Sequence, residues 1–232
     1  MPDLIAILCA AVAVFLGTVV QGSMGVGLAL VAAPVVQIAD PDLMPGSMLL
    51  VALTLALLTV AREARYTDWP GLSWALLGRL VGTAAAAGVI ALVSVRLIDL
   101  LAAVITLSVV GVMVVSPARL PKNRATLIAS GVIAGITGTT ASIGGPFTAL
   151  LYHREPGPVI RGTLGVFFAV GALLSLGTLA LAGRLPGSQF VAATMLLPAM
   201  AAGFLLSGRI RHRIDSERMR KAVIVLGITS AL

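Results

Sequence analysis

The chain has 232 residues, of which 59% are hydrophobic and 11% charged, with a formal net charge of +7 and a mean hydropathy of +1.07. A soluble domain is about 45–50% apolar and ~25% charged, so this composition excludes one and fits a polytopic membrane protein. The basic residues sit in short loops between apolar runs rather than along a stripe, which excludes a soluble nucleic-acid binder.

Met1-Pro2-Asp3 has no basic stretch ahead of the apolar run, so the N-terminus is expected to be mature structure rather than a cleaved signal. The single Cys9 cannot form an intramolecular disulfide and reads as a core residue. Leu4 to Ile38 is apolar but interrupted between Gly17 and Gly27 by Thr18, Gln21, Gly22, Ser23, Met24 and Gly25. A straight helix of that length would measure ~52 Å against a bilayer core of ~30 Å. Two short helices around a break are therefore predicted, the second starting near Ser23–Gly25. Spans follow at Met44–Ala61, Leu72–Val95 (carrying Arg79) and Leu97–Val115, with Tyr66 and Trp69 suited to an interface.

Thr126 to Leu151 is the second broken segment. Its interruption runs from Gly135 to Gly145 and contains Gly138, Thr139, Thr140, Ser142 and Gly144. Gly17 matches Gly135 and Gly27 matches Gly145, an offset of 118 residues, close to half the chain. Tyr152-His153-Arg154 reads as a membrane-edge cluster, and His153 and His212 as no metal site. Thr163–Ala182 and Phe190–Ser207 are further spans, with Pro198 as a kink. Arg209–Lys221 is the most charged stretch, and Ala222–Leu232 is too short for a full span.

Charge sets the predicted topology. If each broken segment enters and leaves on one side, 13 of the 16 Lys and Arg fall on one face, read as cytoplasmic. The first break then dips in from outside and the second from inside. Residues 1–116 and 117–232 become two inverted repeats in one integrated transmembrane domain, a transporter architecture. Re-entrant hairpins and pairs of thin complete spans satisfy this count equally. The predicted fold is all-α: a broken helix pair plus about three transmembrane helices per repeat.

Helix ends at the breaks expose unpaired N–H groups and a partial positive charge. With Thr18, Gln21, Ser23, Thr139, Thr140 and Ser142 as neutral donors and the glycines giving backbone access, they suit an oxyanion. Close helix packing is the alternative for each glycine, and reads equally well for Gly131 and Gly135. Arg79 is either the fixed charge that attracts the anion or a side chain snorkelling to the surface. All nine carboxylates fall in termini, loops or span edges. Proton coupling through an intramembrane acid is therefore disfavoured, and an inside-negative potential would drive an anion outward.

On Gly17, Gly22, Gly25 and Gly27 followed by Pro34, and on Gly135, Gly138, Gly144, Gly145 and Pro146 followed by Leu151-Tyr152, the chain resembles the TauE/SafE family of sulfite and organosulfur-anion exporters. The resemblance implies an inner-membrane permease, not an enzyme, in which both glycine-rich motifs line the pathway for sulfite, sulfoacetate or a related anion. A carboxylate carrier and a non-transporting scaffold are the alternatives. The expected partners are a small anion and the lipid bilayer, with a homodimer as one assembly option. No cofactor, metal or nucleic acid is expected.

Overall fold

A computed structural model describes residues 4–41, 44–92 and 121–211. The predicted span Leu97–Val115, the stretch after Arg211 and the apolar end Ala222–Leu232 lie outside the described residues. Every described element is a helix: α1 (Leu4–Met24), α2 (Leu28–Ala39), α3 (Gly46–Glu63) with a 3-10 turn (Ala64–Tyr66), α4 (Trp69–Leu92), α5 (Arg124–Ala141), α6 (Pro146–Leu151), α7 (Gly157–Leu181) and α8 (Gly187–Ile210). Four segments are long and apolar enough to cross a membrane: Ile5–Met24, Gly46–Tyr66, Gly157–Leu181 and Gly187–Ile210. The chain is a membrane protein.

Local sequence sets the helix starts. Asp68 Oδ1 accepts the Gly71 amide at 3.2 Å at the start of α4, and Asn123 with Thr126 forms a reciprocal capping box on α5. Pro146 opens α6 and Pro158 lies in the first turn of α7, where a missing N–H costs nothing. Pro198 lies inside α8, which runs unbroken through it.

Both breaks differ from their predicted form. The first joins a 21-residue α1 to a 12-residue α2, and α1 alone, ~31 Å long, matches a bilayer core. The second joins an 18-residue α5 to a six-residue α6. The chain re-enters helix at Leu28 and Pro146, in the first break later than the expected Ser23–Gly25. Gly25 and Gly27 take φ of 93° and 145°, and Ser142 takes 59°, none of them α-helical. Each break therefore has one long and one short arm.

The helix boundaries recur at the offset of the glycine motif. Leu28 and Pro146 both start helices, Glu63 and Leu181 both end them, and α4 and α8 begin 118 residues apart. The packing partners follow suit: α1 packs on α8 as α5 packs on α4, and α3 against α8 matches α7 against α4, with α3 and α7 packed on each other. The α4 and α5 backbones approach closely. Gly78 and Gly82 face the Ile128 and Val132 carbonyls, while Gly131 and Gly135 face the backbone of Ala75–Thr83. Close packing is thus the role of Gly131 and Gly135.

One core joins α1, α2, α3 and α8 through Val14, Leu28, Val36, Leu55 and Leu196. Another joins α6 and α7 through Leu150, Ile160 and Leu164. Outside, Ile5, Leu8, Val12 and Leu16 form an exposed apolar stripe on α1. Cys9 is exposed as well, not in the core as predicted. Lipid inverts the usual inside-outside rule, so hydropathy alone did not place it. Tyr66 and Trp69 are exposed as expected. Tyr152, expected at the membrane edge, is fully buried, because its hydroxyl donates to Asp68 Oδ2 at 3.0 Å.

Candidate functional site

The two breaks meet at one cavity of about 40 Å³, space for a few water-sized groups. Gln21, Val26, Gly27 and the first turn of α2 (Leu28, Ala29, Leu30) line it from the first break. Gly138, Ser142, Ile143, Gly144, Gly145 and Pro146 line it from the second. Arg79 of α4, Leu49 and Ala52 of α3, and Phe168 and Ala172 of α7 complete the wall.

Arg79 is the charged group of the site. It is the eleventh residue of the 24-residue α4, ~15 Å from its start, and 3% exposed, so it does not snorkel. Its guanidinium lies among three glycines on different elements. A methyl carbon at Gly138, Gly144 or Gly171 would each come within 2.5 Å of it. Nη1 donates a long bond to the Gly144 carbonyl at 3.4 Å, and the group faces the Phe167 ring 5.3 Å from its centroid. Nε has no hydrogen-bond partner and no carboxylate pairs with it among the described residues. A buried unpaired guanidinium is costly, and an anion is its natural complement.

Neutral donors extend this field. The first-turn amides of α2 have no carbonyl one turn behind them, and the N-terminus carries partial positive charge. Gln21 Oε1 satisfies one of them, the Leu28 N–H, at 3.0 Å, and Ala29 and Leu30 of the same turn line the cavity wall. Ser142 Oγ donates to the Pro45 carbonyl at 3.1 Å, tying the second break to the turn before α3. Among the described residues no carboxylate lines the cavity.

Of the predicted site residues, Gln21, Gly27, Arg79, Gly138, Ser142, Gly144 and Gly145 come together here. The rest lie elsewhere. Ser23, Thr139 and Thr140 donate back to the carbonyls of Val19, Gly135 and Ile136, four residues earlier on their own helices, as hydroxyls in apolar surroundings do. Thr139 also bonds Ser175 Oγ at 2.9 Å. Thr18 and Gly22 pack against α8 at Gly203 and Ser207. Met24 packs against the core around Ile160, and Gly25 faces the Arg161 backbone.

Gly171, Phe168, Leu49, Ala52 and Ala172 were not foreseen. They lie in mid-helix apolar stretches of α3 and α7 with nothing in the local sequence to mark them, although Gly171 repeats the small-residue signal seen at the breaks. A second charged group also escaped the sequence reading. Glu63, the last residue of α3, is 2% exposed. Arg161 Nε donates to its Oε2 at 2.7 Å, Arg211 bonds its Oε1, and Arg62 Nε lies 3.4 Å from the same oxygen. Arg161, placed in a loop by its sequence, is a buried residue in the first turns of α7.

A family model described as sulfite exporter TauE/SafE matches residues 9–232, so the chain belongs to that family. No curated protein and no solved structure matches it.

Proposed function

We propose that this member of the sulfite exporter TauE/SafE family carries a small sulfur-containing oxyanion (sulfite, sulfoacetate or a related organosulfonate) out across the inner membrane, through the cavity between its two helix breaks. The observation that carries the proposal is the convergence of both breaks on the cavity that Arg79 lines. The guanidinium supplies the charge, the first turn of α2 supplies neutral donors, and no described carboxylate competes in the wall. A cavity of about 40 Å³ suits a compact head group.

The 118-residue recurrence of helix boundaries and packing partners supports two inverted halves, 1–116 and 117–232, with the cavity at their seam. The basic loops lie on the cytoplasmic side in this reading. An inside-negative potential then favours anion exit by ~2.3 kcal/mol per charge per 100 mV.

Flux from proteoliposomes tests the proposal. Sulfite and sulfoacetate should leave faster than acetate, at rates that rise with the potential. Arg79→Gln should weaken the apparent affinity at least ~10-fold, about 1.4 kcal/mol. Flux no higher than from empty liposomes makes the protein a scaffold, and equal rates for acetate make it a general carboxylate carrier. Flux that ignores the potential but follows a pH gradient refutes the driving force.

A further inference from the structure

Glu63 carries more positive charge than one carboxylate needs. Three guanidiniums, from α3 (Arg62), α7 (Arg161) and just past α8 (Arg211), meet on it. Arg161 and Glu63 are buried, their side chains 6% and 3% exposed, while Arg62 and Arg211 keep 19% and 22% of theirs. The cluster therefore has a closed floor and an open mouth. Two of the arginines are also tied to the first break: Arg62 Nη2 donates to the Gly22 carbonyl at 2.9 Å and Arg161 Nη1 to the Ser23 carbonyl at 3.1 Å.

The charges do not balance among the described residues. The end of α1 contributes about half a negative charge and Glu63 one more, against three positive charges. An ion pair kept only for structure has little use for a surplus of more than one guanidinium, since each charge taken from water costs free energy. Arg62 Nε and Arg211 Nε make no hydrogen bond in this arrangement, so donors remain for a second acceptor.

The cluster also lies close to the cavity along the first break. Gln21 reaches the cavity, while the carbonyls of the next two residues rest on the arginines. From Ser23 to Gly27 the chain spans at most ~14 Å. We infer that Arg62, Arg161 and Arg211 form a second anion station beside the Arg79 cavity, and that the Glu63 carboxylate is a tethered occupant that a small oxyanion displaces. An anion entering from the open mouth replaces Glu63 on Arg62 and Arg211, then passes the first break towards Arg79. This use in transport rests on the function proposed above. Binding at the station does not.

The test is equilibrium binding of sulfite to the purified full chain at fixed ionic strength, in an Arg79→Gln background that weakens the cavity. Residual sulfite binding is expected there. Adding Glu63→Gln should tighten it at least tenfold, and adding Arg211→Gln should weaken it at least tenfold. Should the Glu63→Gln protein fail to fold, the Arg211→Gln comparison still decides. The inference is overturned if the Arg79→Gln protein binds no sulfite, if Arg211→Gln leaves the residual binding unchanged, or if a folded Glu63→Gln protein binds no tighter. Because binding is read without flux, a protein that binds at the cluster yet moves no sulfite would sink the transport reading and leave the station standing.

Discussion

The two breaks began as the same sequence feature, and the structure uses their small residues differently. At the first, Gly25 and Gly27 hold positive φ values that side chains rarely adopt, and the carbonyls before them lie on arginines. Glycine there serves the backbone. At the second, a serine takes the left-handed turn, and Gly138 and Gly144, with Gly171 of α7, leave room for the Arg79 guanidinium. Glycine there serves another residue's side chain. One break is held by a charged cluster, the other by neutral hydrogen bonds around a buried cation.

The comparison breaks most sharply at Gly171. Gly171→Leu fills the guanidinium cradle without touching either break's backbone, and should reduce anion flux to the level of empty liposomes. Wild-type flux in a folded Gly171→Leu protein would mean that the cradle is not part of the pathway. Exchanging residue types at the two turns should have the next largest effect. Gly25→Ser places a side chain at φ 93° beside Arg161, and should destabilise the protein by ~1–3 kcal/mol. Ser142→Gly relieves a left-handed residue by ~1 kcal/mol while losing one hydrogen bond of similar worth, and should be close to neutral. Thermal unfolding of both variants in detergent checks the pair, and equal losses would erase the distinction.

The smallest effect concerns the anchor of the second broken segment. Asp68 receives Lys122, just before α5, and the Tyr152 hydroxyl, just after α6. Burial would raise its carboxyl, but the Gly71 amide, Lys122 and Tyr152 hold it below the usual range. A depressed carboxylate contributes stability that is present above the unfolded value of ~3.9 and lost as pH falls through the lower, folded one. Hydrogen exchange should therefore rise around α5 and α6 below about pH 4 in the wild type. In Asp68→Asn that increment should be missing. An unchanged acid response in the variant would assign it to other carboxylates.

Much of the fold was legible without coordinates. The spans at α3, α7 and α8, the helix α4, the positions of both breaks and the 118-residue offset are all written in local composition, because a membrane helix must be apolar along its length. The site was legible only in part. Ser23, Thr139 and Thr140 looked like donors, but each satisfies itself on its own helix. Glu63 looked like a loop residue and is buried because its neighbour Arg62 and two arginines from distant parts of the chain, Arg161 and Arg211, converge on it.

Sequence by itself determined the class of the protein, its solvent and the places where the helices must stop. Lipid forces backbone polar groups to be satisfied within each helix, and glycine and proline mark where that fails. Tertiary structure alone decided that Arg79 turns inward, that Gly171 makes room for it, and that seven of the fourteen candidate residues share one cavity. Those outcomes depend on which helix face meets which neighbour, and no local pattern along a uniformly apolar helix records that choice.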